Sequence, residues 1–229
     1  MSKPPKPPYE FKKEKDLIQK LKDPSTKKAA DEFFYSEKEM VHTVPDVVMT
    51  AVAGSTFRAF RVVDGVRPSV TFRNWATKYI QNTEKELIHI KKESDYANYV
   101  HKATLSLCKE WRKSMCSDMG YGRGAKLFNL VLKKFACLSS LTEEQKNTLI
   151  SLQHVPLDRY TIVGLSLVAP DLSIPKNATM SYIKGREDYK EFQNIISKIA
   201  EKAGVPSIYY DILAWDMSHS IQKPKLLRK

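Results

Sequence analysis

The stretch "MGYGRGAKLFNLVLKKFACL", Met119 to Leu138, decides how this chain is read. Two glycines flank a tyrosine, an arginine and a third glycine follow, and an apolar helix then starts with Lys126 in its first turn. Gly120 and Gly122 permit backbone angles and a close approach that side chains would block. A short turn between two helices can also point several amide N–H groups at one phosphate, because a helix start leaves its first amides unpaired. A plain helix-capping turn satisfies the same letters. Lysine, however, has the wrong sign for the positive end of a helix, so the question is what Lys126 faces. Leu127, Phe128, Leu130, Val131, Leu132 and Phe135 recur at helical spacing and predict a broadly apolar helix from about Gly124 to Leu138.

Working outward, 229 residues with 42% hydrophobic and 28% charged side chains suffice for a globular core in one large domain or two small lobes. No run approaches the roughly 18 to 20 apolar residues of a membrane span, and "MSKPPKPPYEFKKEKD" lacks the apolar centre of a signal peptide. An intracellular protein is expected, in the cytoplasm or nucleoid or in a nucleus, with no membrane partner. Cys108, Cys116 and Cys137 are odd in number and lack metal-type spacing, which predicts buried free thiols and no metal.

The net charge of +12 is uneven. Residues 1–30 hold nine Lys against four acids and residues 222–229 hold four Lys or Arg and no acid, which leaves +3 for residues 31–221. Within that core, Lys102, Lys109, Arg112, Lys113, Arg123, Lys126, Lys133 and Lys134 face only Glu110 and Asp118 between positions 102 and 134. Such a patch favours a polyanion, because neutralising phosphates releases counterions. A solvated, Lys-rich helix face has the same composition.

The Pro- and Lys-rich residues 1–30 read as a flexible basic arm with a short helix near Leu17 to Leu21, residues 31–221 as a helical domain, and residues 222–229 as a basic tail. Helical pattern runs from Ala29 to Gly54. "FRAFRVVDGVRPSVTF" reads as an irregular connection or a small hairpin, and residues 73–116 read as two helices. Thr142 and Gln145 form a capping pair, a helix follows Pro156, an amphipathic helix ends at Gly204, and "SIYYDILAWDMSHSI" is another. No run of strands stands out, so the fold class is mostly α.

The turn resembles the Gly-hydrophobic-Gly hairpin of helix-hairpin-helix DNA glycosylases, in which the second helix carries a catalytic lysine. A downstream Val-Pro-hydrophobic-Asp segment of that superfamily supplies a catalytic aspartate. "HVPLDRYTI" is similar to it and puts Asp158 in that place. The commonest branches put the lysine two residues after the second glycine of the turn and nearly twenty before the aspartate. Here Gly124 stands at the first position, and Lys126 and Asp158 are 32 positions apart (158 − 126). That wider spacing resembles the archaeal GO (8-oxoguanine) branch, as does "DILAW", whose Asp211 and Trp215 match that branch's base-pocket pair.

The resemblance implies a two-lobed glycosylase fold with the hairpin near 117–126, and a monomer acting on double-stranded DNA without a cofactor or metal. Lys126 and Asp158 would be catalytic, and Asp211 and Trp215 would line the base pocket. Gly120, Tyr121, Gly122, Arg123, Lys133 and Lys134 would hold the DNA backbone. Trp75 is a further pocket candidate, whereas His154 has no Ser or Cys partner and reads as structural.

The chemistry is coherent on its own terms. A lysine that attacks the deoxyribose C1′ must first shed its proton, which apolar surroundings, a helix start and a neighbouring cation such as Arg123 all favour. Departure of the base leaves oxocarbenium character on the sugar, and a carboxylate beneath the ring stabilises it, as in glycoside hydrolysis. Asp158 fits that role and is also an obvious N-cap, and the two roles are compatible. The excised base is open: 8-oxoguanine is what the branch implies, and a glucosylated pyrimidine of viral DNA, removed in phage defence, is the alternative. A non-catalytic hairpin module that clamps phosphate is the rival outside the enzymes.

Overall fold

In the computed structural model the described residues are 11–60, 62, 64–175 and 177–217, excluding the side chains of Ser55, Arg58, Ala59 and residues 215–217. The mostly α expectation holds. Ten helices are α1 Glu14–Lys22, α2 Pro24–Tyr35, α3 Val44–Ala51, α4 Pro68–His89, α5 Glu93–Met115, α6 Tyr121–Phe135, α7 Glu143–Leu152, α8 Arg159–Val168, α9 Arg186–Ala203 and α10 Tyr209–Asp211. A π-helical turn, Ile212–Met217, continues α10. Among the described residues there is no strand, only an isolated parallel bridge between Val41 and Leu138.

The fold is organised around α6. Its Leu127, Phe128, Val131, Leu132 and Phe135 are all at most 3% exposed, and only Arg123 and Leu130 escape full burial on the whole helix. A helix buried on every side belongs in a core. Helices α3, α4 and α5 pack around it on one side, while α1 and α2 pack against α8, α9, α10 and the π turn. The second group therefore joins the beginning of the chain to its end.

That union corrects the flexible arm. Residues 11–30 are folded: Leu17, Leu21 and Ala30 are at most 1% exposed, and Phe11 packs its ring against Tyr210. The short helix near Leu17 exists as α1, and α2 starts where Asp23 accepts from the Ser25 amide ahead of Pro24. What made the segment look loose, its lysines, sits on the outer faces of two amphipathic helices. Residues 1–10 and the 222–229 tail lie outside the described residues.

Local signals elsewhere read true. Thr142 and Gln145 form a reciprocal capping box, Gly204 ends α9 at φ 70°, and α4 and α5 are two helices broken at Ile90–Lys92. The helix pattern from Ala29 to Gly54 is in fact α2, a 3-10 turn at Glu37–Glu39 and α3, because Thr43 caps a new helix whose second residue is Pro45. The 54–67 segment is irregular, with a 3-10 turn at Gly54–Ala59 and a left-handed Asp64–Gly65 pair before Pro68 opens α4. Of the cysteines, Cys137 is buried, Cys108 half-buried and Cys116 exposed, so the buried-thiol expectation fails at Cys116, which ends α5 in the left-handed region. Burial in apolar surroundings pushes the Cys137 and Cys108 thiols up to about 11.

Candidate active site

A cleft of about 400 Å³ opens beside α6. Lys126, Leu130, Lys133 and Lys134 of α6 line it, a stripe at the spacing of one helix face. Asp158 and Asp211 reach it from the start of α8 and the end of α10, Phe33 and Glu39 from α2 and the turn after it, and Thr50, Ala51, Ala53 and Thr56 from the α3 end. Three residues named from sequence, Lys126, Asp158 and Asp211, thus meet in one cavity.

Lys126 is 9% exposed. Among the described residues no hydrogen bond or ion pair engages it, which sets it apart from its two neighbours on the stripe. A buried lysine is ordinarily paired.

Asp158 sits where a carboxylate is best held. Its Oδ1 accepts from the amides of Tyr160 at 2.7 Å and Thr161 at 3.1 Å, and its own amide donates to Thr161 Oγ1 at 2.8 Å. This is a capping box on α8, at the helix's positive end. The N-cap reading is correct, and it fixes the carboxylate's position on the cleft wall.

Lys133 and Lys134 differ from expectation. Lys133 Nζ donates to Asp211 Oδ2 at 2.8 Å with both side chains at most 6% exposed, and it lies 4.3 Å from the centroid of the Phe33 ring. Lys134 Nζ donates to both the backbone oxygen and Oε2 of Glu39 at 2.7 Å, with its side chain 8% exposed. Both lysines are therefore inside, paired with carboxylates of this chain, and are not available to an external DNA backbone. The sequence showed two adjacent cations; it did not show that their partners lie 78 and 95 positions away.

The hairpin is likewise closed. The Gly120 amide donates to Asp118 Oδ1 at 3.2 Å, and the Gly122 amide donates to the Ile183 carbonyl at 3.2 Å. A Cβ on Gly122 would run into the Met180 carbonyl and come within 2.8 Å of Ile183 Cβ, so this glycine exists to seat the 180–183 segment on α6. Gly120 adopts φ 77° with ψ 144°, a region almost reserved for glycine. Tyr121 is buried, with its hydroxyl 3.0 Å from His101 Nδ1, and burial raises that phenol to about 12. Arg123 stacks its guanidinium over Phe60 at 5.8 Å and donates to the Met119 carbonyl. The expected backbone-holding set of Gly120, Tyr121, Gly122, Arg123, Lys133 and Lys134 is spent on internal contacts.

Trp75 resolves as core, and His154 is structural as expected. Trp75 stacks on Tyr79 at 5.1 Å, donates from Nε1 to Ser106 Oγ and does not line the cleft. His154 is buried, with Nδ1 3.0 Å from the Tyr189 hydroxyl, and burial drops it to about 4. The Trp215 side chain lies outside the described residues. Sequence reading missed Phe33 and Glu39, since both were assigned to no site and nothing local marks them.

No protein-family model matches the chain, and neither does any curated protein or solved structure. No described helix is long and apolar enough to cross a membrane.

Proposed function

We propose that this chain is a DNA glycosylase with associated strand-cleaving lyase activity on a modified base. The observation that supports it most is the convergence of Lys126, Asp158 and Asp211 in one cleft, with Lys126 the lysine that no carboxylate engages. Two groups of helices, one packed on α6 and one reached from it through the Asn129–Tyr189 and Lys133–Asp211 bonds, suit a two-lobed glycosylase.

In this reading the target nucleotide leaves the duplex and its base enters the cleft, at a cost of a few kcal/mol of unstacking. Lys126 Nζ, in its neutral form, attacks C1′ as the C1′–N bond breaks, and the base departs as an anion that takes a proton from water. The Asp158 carboxylate stabilises the cationic sugar and takes the proton that the new C–N bond releases from Lys126. Ring opening leaves an imine on Lys126, elimination of the 3′ phosphate nicks the strand, and water then frees the lysine. The Lys133–Asp211 pair offers a donor and an acceptor to the edge of the base.

Because the Gly120 and Gly122 amides are occupied, attraction to the duplex falls to exposed cations. Lys102, Lys109 and Lys113 recur on one face of α5, with the exposed Arg112 beside them. The same occupancy weakens the rival of a non-catalytic phosphate clamp. Borohydride trapping on duplexes carrying an abasic site or a modified base tests the proposal. A covalent complex that disappears in Lys126→Gln supports it, and DNA binding with neither trapping nor base release refutes it.

A further inference from the structure

The cleft extends well past Lys126. From Lys126 to Lys134 the lining face of α6 advances eight residue steps, about 12 Å at the helical rise. That is longer than a two-ring base measured from its glycosidic nitrogen. A volume of about 400 Å³ is also in the range that encloses a drug-sized ligand rather than one flat ring system.

Its far wall carries a second charged pair. One base edge is served by Lys133 and Asp211, which leaves Lys134 and Glu39 without a task in base reading. The Glu39 side chain is 34% exposed although its partner is 8% exposed, so this carboxylate presents itself to the cleft. Beyond Lys126 and Asp158 the lining charges are matched in two pairs, the Lys133 ammonium with the Asp211 carboxylate and the Lys134 ammonium with the Glu39 carboxylate. A charged substituent would disturb that balance and strip a buried charge of its partner. A neutral group rich in hydroxyls would not, because each hydroxyl can donate to a carboxylate and accept from an ammonium.

Resting on the glycosylase reading, we propose that the cleft accepts a nucleobase bearing a neutral polyhydroxyl, sugar-like substituent, with Glu39 and Lys134 as the residues that select it. The base lies against Lys133 and Asp211, and the substituent reaches the Glu39 carboxylate near the Phe33 ring.

The test uses the full chain and four duplexes identical except at one position: an abasic site, 8-oxoguanine, 5-hydroxymethylcytosine and glucosylated 5-hydroxymethylcytosine. Nicking and borohydride trapping are read on each, with the wild type and Glu39→Gln. The expected result is fastest release of the glucosylated base, slowed about tenfold to a hundredfold by Glu39→Gln, the loss of one charge-assisted hydrogen bond. Nicking at the abasic site reads the lyase step in each protein, and release of the glucosylated base is taken relative to it. Release of the glucosylated base no faster than of the other two overturns the proposal in the wild type alone, whatever the variant does. An unchanged rate in a Glu39→Gln protein that melts normally removes Glu39 from it. Failure of the wild type to nick even the abasic duplex instead refutes the glycosylase–lyase reading, and the substrate class falls with it.

Discussion

Replacing Asp211 by Asn would remove the carboxylate charge 2.8 Å from Lys133 Nζ, on a lysine whose side chain is 6% exposed. Breaking one half of a buried ion pair costs roughly 3 to 5 kcal/mol, because the remaining charge stays desolvated. Two features of the structure push the value to the low end. The Phe33 ring still faces the Lys133 ammonium at 4.3 Å, and the cleft lets water approach. About 3 kcal/mol is therefore expected, which for a chain of this size lowers the melting temperature by roughly 6 to 12 °C. Lys133→Met should cost a similar amount, since it removes the ammonium that Asp211 accepts from. The double variant Lys133→Met with Asp211→Leu removes both charges and should return to within about 1 kcal/mol of the wild type. Urea unfolding of the four proteins measures the cycle. If the double variant loses the sum of the two single losses, the residues are not coupled and the pairing argument fails. If the double variant recovers stability but excises no base, the pair is kept for substrate recognition and not for the fold.

Other expectations separate structure from chemistry in the same way. Asp158→Asn keeps a good N-cap, so stability should change by well under 1 kcal/mol while base release collapses; Asp158→Ala should in addition cost about 1 kcal/mol on melting. Gly122→Ala forces a methyl group into Ile183 and the Met180 carbonyl, and should cost about 3 kcal/mol in chemical denaturation. His154 ordinarily binds a proton near pH 6.5 but in the folded chain only near 4, so below pH 6.5 the unfolded chain takes up the proton first. Its contribution is intact above 6.5 and declines as pH falls to about 4, by about 3 kcal/mol in all, and His154→Gln should flatten the denaturation-versus-pH curve in that window. Deleting residues 1–30 should prevent folding, as judged by circular dichroism and cooperative melting, because Leu17, Leu21 and Ala30 leave the core.

Helix content and boundaries were legible because their causes are local. The capping boxes at Thr142 and Asp158 and the glycine stop at Gly204 act within four residues, and the apolar spacing of α6 follows from one helix turn. Lys126 and Asp158 were singled out by the resemblance of their segments to glycosylase motifs, and both line one cleft. The direction of Lys133 and Lys134 was not, because whether a lysine turns inward depends on an acid contributed by distant chain. Gly122 misled for a related reason. A glycine needed for close approach looks the same in sequence whether the approaching group is a phosphate or the carbonyl of Ile183. Residues 1–30 read as a flexible basic arm because charges outnumber apolar residues there, yet Phe11, Leu17, Leu21 and Ala30 anchor its described part.

Phe33 and Asp211 face the same cleft from opposite ends of the sequence. A ribosome adding about 5 to 20 residues each second needs on the order of 10 to 40 seconds to pass from one to the other. Until the Tyr209–Asp211 turn has emerged, the carboxylate that Lys133 donates to is absent, one wall of the cleft is missing, and α2 lacks the turn it rests on. The site is consequently among the last parts of the molecule to exist during synthesis. A chain that stops short, by truncation or proteolysis, carries Lys126 and Asp158 without the enclosure that aligns them.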